Sequence, residues 1–275
     1  MSSGDSSDSD DDDFGAIGFM FNTATSKVTR TVEISTTLSV RVRCIDDKPG
    51  ALQSGQFLWP GASVLGAYLE SHASQLPSSP DLLTPSAEPS TQPHRILELG
   101  AGCGLVGLAC TLLAARGAFA VPFGTVVLTD HDPGTLSLVR EAVALLPETP
   151  GSPSSSFPVE CLVESLEWGQ PDALQPAPFN GGFSLVVASD VFYSDTVVFP
   201  LLSTVASCLL SPASLFLMMT SIEEPPDIQA AIAAACAGLQ LSHHATILQQ
   251  HKTRIFRLHH FRLLSLTQPQ KQIAS

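Results

Sequence analysis

A glycine-rich stretch of this chain has the residue types and spacing of a nucleotide-cofactor site. Residues 96–109 read ILELGAGCGLVGLA, in which Gly102, Gly104 and Gly107 fit the pattern G-x-G-x-x-G. An apolar run precedes the glycines and a helical pattern follows them, which predicts a strand-to-helix turn at the carboxyl end of a strand. Glycine permits positive φ and close approach to a ligand there, and the helix N-terminus offers free N–H groups.

The turn by itself leaves the identity of the cofactor open. Asp130 ends the predicted strand VVLTD and would bind ribose hydroxyls of either candidate. NAD would place its pyrophosphate against the turn, whereas S-adenosylmethionine would place its methionine end and ribose there. Because a glycine pattern of this kind is a weak signal, other stretches must decide.

The elements that position these residues alternate between strands and helices. The predicted strands are 95–99, 125–129, 159–166, 184–189 and 214–220, and the predicted helices are 62–71, 105–115, 133–146, 196–210 and 227–237. Two closing strands, 241–248 and 253–265, have no helix between them. The pattern predicts an α/β fold with a mostly parallel sheet, helices on both faces and a C-terminal antiparallel hairpin.

Composition divides the chain further. Residues 1–13 are almost entirely Ser and Asp and predict a disordered acidic tail. Residues 14–56 include a period-two alternation over 28–45 that predicts an N-terminal β extension. The main domain is expected over 57–275, interrupted at 74–93 by a Pro/Ser-rich surface insertion whose part in substrate recognition stays open.

Charge and cysteine content restrict the class of protein. The formal net charge is −13, a sign opposite to that of most proteins that bind a phosphate backbone, so a nucleic-acid partner is not expected. No apolar run reaches the roughly 20 residues of a membrane span, and the acidic N-terminus is unlike a secretory signal. Six cysteines without a C-x-x-C pair predict free thiols. A monomer in the cytoplasm is expected, with the nucleus left open.

Metal and hydrolase chemistry find no support in the sequence. The histidines at 243 and 244, and those at 259 and 260, are adjacent on predicted strands. Adjacent strand residues face opposite sides of a sheet, so neither pair converges and no metal site is predicted. A G-x-S-x-G nucleophile elbow is also absent from the sequence.

Four motifs, taken together, resemble one family. They are the acid-and-glycine run from Glu98 to Gly104, FLWPGASVLGAYL at 57–69, LEWG at 166–169 and ASDVFY at 188–193. In order and at predicted strand ends, they resemble methyltransferase family 16, which contains class I seven-strand protein-lysine methyltransferases of the methyltransferase-like 21 type. The resemblance extends from about Val28 to the last strand, and it implies S-adenosylmethionine rather than NAD.

The resemblance implies a set of cofactor-binding positions. They are Trp59, Glu98, Gly100, Ala101, Gly102, Asp130, Trp168 and Ser189. Trp59 is expected beside the methionine end and Trp168 beside the adenine, although either could be an ordinary core aromatic. Glu98 has the alternative of a buried carboxylate tied to backbone N–H groups. Ser189 departs from the family, which commonly has alanine at this position.

The Asp-x-x-Tyr motif implies the chemistry. Asp190 follows the buried run FSLVVAS and is expected to bind and orient a lysine ammonium, while Tyr193 and Phe192 form an aromatic wall around its stem. The alternative is that Asp190 caps the next helix, but Asp195 is expected to cap it. The implied function is methyl transfer to a lysine of a protein substrate. Histidine, a small amine, or a catalytically silent cofactor-binding module are the alternatives.

Overall fold

The computed structural model of the chain describes residues 26–46, 54–77, 93–147, 158–250 and 254–264. The acidic tail predicted at 1–13, most of the insertion predicted at 74–93, and the last eleven residues lie outside the described residues. Among the described residues, no helix is long and apolar enough to cross a membrane.

The described elements follow the predicted alternation of strands and helices. The nine strands among the described residues are β1 (Lys27–Glu33), β2 (Ser39–Ile45), β3 (His94–Leu99), β4 (Phe123–Asp130), β5 (Glu160–Ser165), β6 (Leu185–Ser189), β7 (Leu215–Thr220), β8 (Leu241–Gln250) and β9 (Arg254–Leu263). The α-helices there are α1 (Pro60–His72), α2 (Leu105–Ala115), α3 (Pro133–Val143), α4 (Asp195–Cys208) and α5 (Pro226–Leu239).

Seven of these strands form one sheet, in the order β5-β4-β3-β6-β7-β9-β8. The first five strands in this order are parallel, whereas β9 is antiparallel to both β7 and β8. The predicted α/β class I fold, with its closing antiparallel hairpin, is confirmed.

The central strands are buried on both faces. Leu185 and Val187 of β6 pack into the core beneath α1 and α2, whereas Val186 and Ala188 pack into the core beneath α4 and α5. Successive side chains of a strand point to opposite faces, so a strand covered by helices on both sides needs apolar residues at every position. This burial explains why the sequence of β6 is a continuous apolar run instead of an alternation.

The N-terminal strands form a separate antiparallel sheet of two strands. Val40 and Val42 of β2 are buried in the core shared with α2. Lys27 and Arg43 both pair with Glu141 of α3, each at 2.9 Å. Because an isolated two-stranded hairpin is marginally stable in water, its packing against α2 and α3 stabilises it.

One prediction about a helix start is wrong. Helix α4 begins at Asp195, and Ser194 is its N-cap, with the Ser194 hydroxyl accepting from Thr196 N–H. Serine is an equally favourable N-cap residue and lies one position earlier, with the extended backbone that a cap requires. Asp195 instead lies in the first turn, where its charge complements the helix dipole.

The strand order creates a crevice at one edge of the sheet. From β3 the chain passes to β4 and β5, and it then returns to β6 on the other side of β3. Ligands of open α/β sheets bind beyond the carboxyl ends of the strands where the order reverses in this way. The residues that follow β3, β4, β6 and β7 all lie at that edge.

Candidate functional site

A cavity of about 360 Å³ opens at the carboxyl edge of the sheet. Most of the predicted site residues line it: Trp59, Gly100, Gly102, Asp130, Trp168, Ser189, Asp190 and Tyr193. Ala101 lines a smaller neighbouring cavity. Glu98 lines neither of these two cavities.

The turn after β3 brings backbone to the cavity wall. Gly100 has φ of +63°, and a Cβ atom there would lie 2.8 Å from Val191 Cγ1 and 3.0 Å from Trp168 Cζ2. A side chain at this position would therefore be strained by the backbone and would collide with the wall. Glycine leaves a backbone surface that a ligand can approach.

Glu98 supports this turn from below. Its Oε2 accepts a hydrogen bond from Gly107 N–H at 2.9 Å, and a Cβ atom on residue 107 would lie only 2.4 Å from that oxygen. The third glycine of the pattern therefore permits close packing of α2 against β3. Burial raises the pKa of Glu98 to about 8. These contacts fit the alternative in which the carboxylate is buried against backbone N–H groups.

Asp130 is placed where β4 ends, beside the glycine turn. One carboxylate oxygen accepts from Gly102 N–H at 3.1 Å, and the other accepts from Asp132 N–H at 3.1 Å. The side chain is mostly buried but lines the cavity. Each oxygen retains acceptor capacity for a further donor such as a ribose hydroxyl.

Asp190 links three elements at the wall of the cavity. Its Oδ2 accepts from Gly61 N–H in the first turn of α1 at 2.8 Å, and its Oδ1 accepts from Ser221 N–H after β7 at 2.6 Å. Burial raises the pKa of Asp190, although these N–H groups oppose the rise. Its φ of +55° is rare for a residue other than glycine, and such strain concentrates at functional sites.

Aromatic side chains flank this carboxylate. Tyr193 is 68% exposed at the cavity mouth, whereas Phe192 is buried behind it. Trp59 directly precedes α1, and Trp168 lies in the segment after β5. These are the two tryptophans of the chain, and both line the cavity. The cavity therefore combines an acidic wall with apolar rings.

The loop between β7 and α5 also lines the cavity, and sequence reasoning missed it. Ile222, Glu223, Glu224 and Pro225 all contribute to the wall. A weak signal is present, because two acids stand three and four residues after the apolar strand LFLMMT, whereas Asp190 directly follows β6. The same rule about strand ends would have found them.

Comparison with known families identifies the class of protein that this fold and cavity define. A model of methyltransferase family 16, described as lysine methyltransferase, matches residues 43–227. That span is more than half of the 275-residue chain, and the chain belongs to this family. The resemblance inferred from the four motifs is confirmed.

Individual relatives have different names. The tRNA (guanine-N(1)-)-methyltransferase of Rhizobium johnstonii is 32% identical over 162 residues, which cover 55% of this chain and 63% of that protein. The protein N-lysine methyltransferase METTL21A of Danio rerio is 31% identical over 110 residues, which cover 40% of this chain and 42% of that protein. The matches thus span about half the length of these relatives.

Solved structures are similar to this chain only at low identity. The magnesium protoporphyrin IX methyltransferase of Synechocystis, with bound S-adenosylhomocysteine, is 12% identical with a TM-score of 0.45. The alignment covers 78% of this chain and 89% of that one.

S-adenosylmethionine is the cofactor, and the residues of the cavity fit it. Gly100 leaves backbone open where a Cβ atom would fill the space, and Asp130 offers a carboxylate at the adjacent strand end. Trp168 supplies a ring on the same wall. The turn and Asp130 would hold the amino-acid end and the ribose, and the bound cofactor supplies an electrophilic methyl group.

Proposed function

We propose that the chain transfers a methyl group from S-adenosylmethionine to a lysine side chain of a protein. The observation that carries this proposal is the charge of the cavity wall. Four carboxylates line it, those of Asp130, Asp190, Glu223 and Glu224. Among the described residues that line it there is no Lys or Arg. Arg257 compensates one of these four charges from outside the lining, and the remaining negative charge attracts a cation and repels a phosphate.

The chemistry required of a lysine suits this wall. A lysine arrives as an ammonium with a pKa near 10.4 and must lose a proton to expose its lone pair. Asp190 provides a carboxylate that attracts the ammonium, and Tyr193 provides an exposed ring over which the cation or its stem packs. The ammonium would pass its proton to water at the exposed cavity mouth, and the neutral amine would take the methyl group that the cofactor supplies, with S-adenosylhomocysteine as the other product. The residues hold the amine toward that methyl group, and positioning of this kind can supply a large part of the rate.

A nucleic-acid substrate is the alternative suggested by the names of some relatives. Proteins that bind tRNA or DNA make most of their contacts to phosphate through Lys, Arg and backbone N–H groups. The acidic wall and the net charge of −13 oppose such binding. We therefore favour protein, with a lysine as the acceptor.

The experiment is transfer of labelled methyl from the cofactor into a cell extract. Aliquots treated with protease or ribonuclease separate label on protein from label on RNA, and acid hydrolysis identifies the methylated amino acid. We expect protease-sensitive label recovered as ε-N-methyl-lysine. Label recovered in methyl-histidine, RNA or small molecules would refute the lysine assignment, and cofactor binding without any transfer would indicate a silent module.

A further inference from the structure

Asp190, Tyr193 and residues 222–225 form the part of the cavity wall proposed to face the substrate, the substrate-side wall. A row of polar side chains runs from this wall into the C-terminal hairpin, and its members beyond Glu224 take no part in the proposed chemistry. The row begins at Glu224, which is 3% exposed and lines the cavity from the loop after β7. It continues with Arg257 and His259 on β9 and ends at His243 on β8. The C-terminal hairpin thus reaches the cavity through one buried carboxylate.

The hydrogen bonds within this row have a defined direction. Glu224 Oε1 lies 2.9 Å from His259 Nε2, and Glu224 Oε2 pairs with Arg257 Nη1. An ionised carboxylate only accepts, so His259 Nε2 carries the hydrogen. In the neutral ring Nδ1 is then an acceptor, and His243 Nε2 lies 3.0 Å from it. This contact joins one histidine from each of the two adjacent pairs across the strands, and the spacing of the histidines along the chain does not predict it.

These partners account for the burial of Glu224. A carboxylate removed from water is costly unless it is paired and hydrogen-bonded. Burial by itself would raise the pKa of Glu224, but hydrogen bonds from His259 and Thr220 outweigh it and lower the pKa to about 2. Glu224 therefore stays ionised and attached to β9 at neutral pH.

The loop that carries Glu224 is held at both ends. Ser221 N–H donates to Asp190 at 2.6 Å at the start of the loop, and Glu224 bonds β9 near its end. Between these points Ile222 is 68% exposed, and the Glu223 side chain is 76% exposed. The two anchors thus fix a short segment whose side chains point outward at the cavity mouth.

We propose that Glu224 and His259 are positioning residues for the protein substrate. With Arg257, they fix residues 221–225 against the C-terminal hairpin, so that Ile222 and Glu223 are presented to the segment bearing the target lysine. This inference rests on the proposed function, because it concerns how that substrate is held.

Two variants at His259 and one control isolate the bond between His259 and Glu224. His259→Phe keeps a ring against Phe192, whose centroid lies 6.1 Å away, but loses the donor. His259→Gln keeps an N–H donor of similar reach. His243→Phe is the matched control, because it keeps a ring on the stack and leaves the His259–Glu224 bond intact. If His259→Phe does not fold, Arg257→Gln tests the same loop anchor by removing the pairings of Arg257 with Glu224 and Glu223.

The readouts are amide hydrogen exchange of residues 221–225, affinity for S-adenosylhomocysteine, and steady-state kinetics on the protein substrate. For His259→Phe we expect faster exchange and a loss in kcat/KM of about ten- to a hundredfold, mostly through KM. Cofactor affinity should stay within about twofold. His259→Gln should recover most of the loss, and His243→Phe should match the parent.

Several results would overturn the inference. Parent-like exchange and kinetics in His259→Phe would show that the bond does not position the loop. An equal loss of cofactor affinity, or no recovery in His259→Gln, would show a general structural effect. If the parent transfers no methyl to lysine, the proposed function fails, but the exchange comparison still decides whether His259 holds the loop.

Discussion

The glycine turn of the cavity and its support come from one strand–turn–helix unit, β3 to α2, whereas the substrate-side wall is assembled from distant elements. Glu98 and its partner Gly107 are nine residues apart. Glu224 and its partner His259 are 35 residues apart, and Asp190 reaches Gly61 across 129 residues. The contact of Glu98 with Gly107 can be predicted from a short sequence motif, whereas the contacts of Glu224 and Asp190 can be identified only in the folded sheet.

The two regions also differ in the pKa of the buried glutamate that each contains. Glu98 and Glu224 are 1% and 3% exposed. Burial raises the pKa of Glu98 to about 8, and only backbone N–H groups oppose it. The pKa of Glu224 falls to about 2, because His259 and Thr220 donate to it and overcome the cost of burial. The hydrogen-bond donors around each carboxylate, and not its depth of burial, therefore decide whether it is ionised at neutral pH.

The largest effect expected from this contrast is on stability against pH. The pKa of Glu98 in the folded state lies above its ordinary value of 4.5. The contribution of Glu98 to the free energy of unfolding is therefore complete below pH 4.5 and is lost as pH rises through about 8. Glu98→Gln removes this titration. The stability of the parent relative to Glu98→Gln should therefore fall by a few kcal/mol between pH 5 and pH 9. Urea unfolding at several pH values measures it.

Glu224→Gln is the matched control for that experiment. The pKa of Glu224 in the folded state is lowered from 4.5 to about 2. The contribution of Glu224 to the free energy of unfolding is therefore present above pH 4.5 and is lost only as pH falls through about 2. The difference between the parent and Glu224→Gln should therefore be flat from pH 5 to pH 9. A flat profile for Glu98→Gln as well would show that Glu98 is ionised throughout.

The next effect concerns turnover. Asp190→Asn keeps the shape of the side chain but loses the negative charge. Its NH₂ group also faces the N–H group of either Gly61 or Ser221, so one of these two hydrogen bonds is lost. We expect kcat to fall by about a hundredfold or more, comparable to the loss of a preorganised electrostatic group. Single-turnover assays with saturating cofactor measure it. Calorimetry with S-adenosylhomocysteine should show nearly unchanged affinity, and loss of that binding would make Asp190 a cofactor or structural residue.

Asp130→Ala should have the opposite pattern. Its carboxylate holds Gly102 N–H and, in our assignment, the ribose hydroxyls. Loss of hydrogen bonds to a charged group costs about 1.5–3 kcal/mol, or about ten- to a hundredfold in cofactor affinity. Turnover at saturating cofactor should largely recover. Unchanged affinity in Asp130→Ala would remove Asp130 from the cofactor site.

Much of the fold could be predicted from the sequence because its signals are local. The apolar run of β6 and the glycine turn after β3 each report burial or backbone conformation directly. The boundaries of α4 depended on a choice between adjacent capping residues, Ser194 and Asp195, that spacing does not resolve. Local patterns predict which elements form better than where they begin.

The candidate site could be predicted only in part, for a physical reason. Topology predicts the positions of Asp130 and Asp190 at strand ends, whereas the role expected of Asp190 is what the resemblance through the Asp-x-x-Tyr motif implies. The role of Glu98 beneath the turn, the two backbone donors to Asp190, and the contact of Glu224 with His259 depend on packing between elements. No spacing in the chain encodes such contacts, so the hydrogen bonds that hold the carboxylates of the substrate-side wall emerge only from the structure.

The smallest effect is expected at the exposed edge of the substrate-side wall. Tyr193 is 68% exposed, so a cation over its ring remains largely hydrated, and such a contact is worth about 0.5–1 kcal/mol. Tyr193→Ala should therefore raise KM for the protein substrate about two- to fivefold without changing cofactor affinity. Tyr193→Phe keeps the ring and should lower the rate less than Asp190→Asn does. If Tyr193→Phe is as slow as Asp190→Asn, the hydroxyl takes part in the reaction itself, and the substrate-side wall contains a second polar group that acts on the amine.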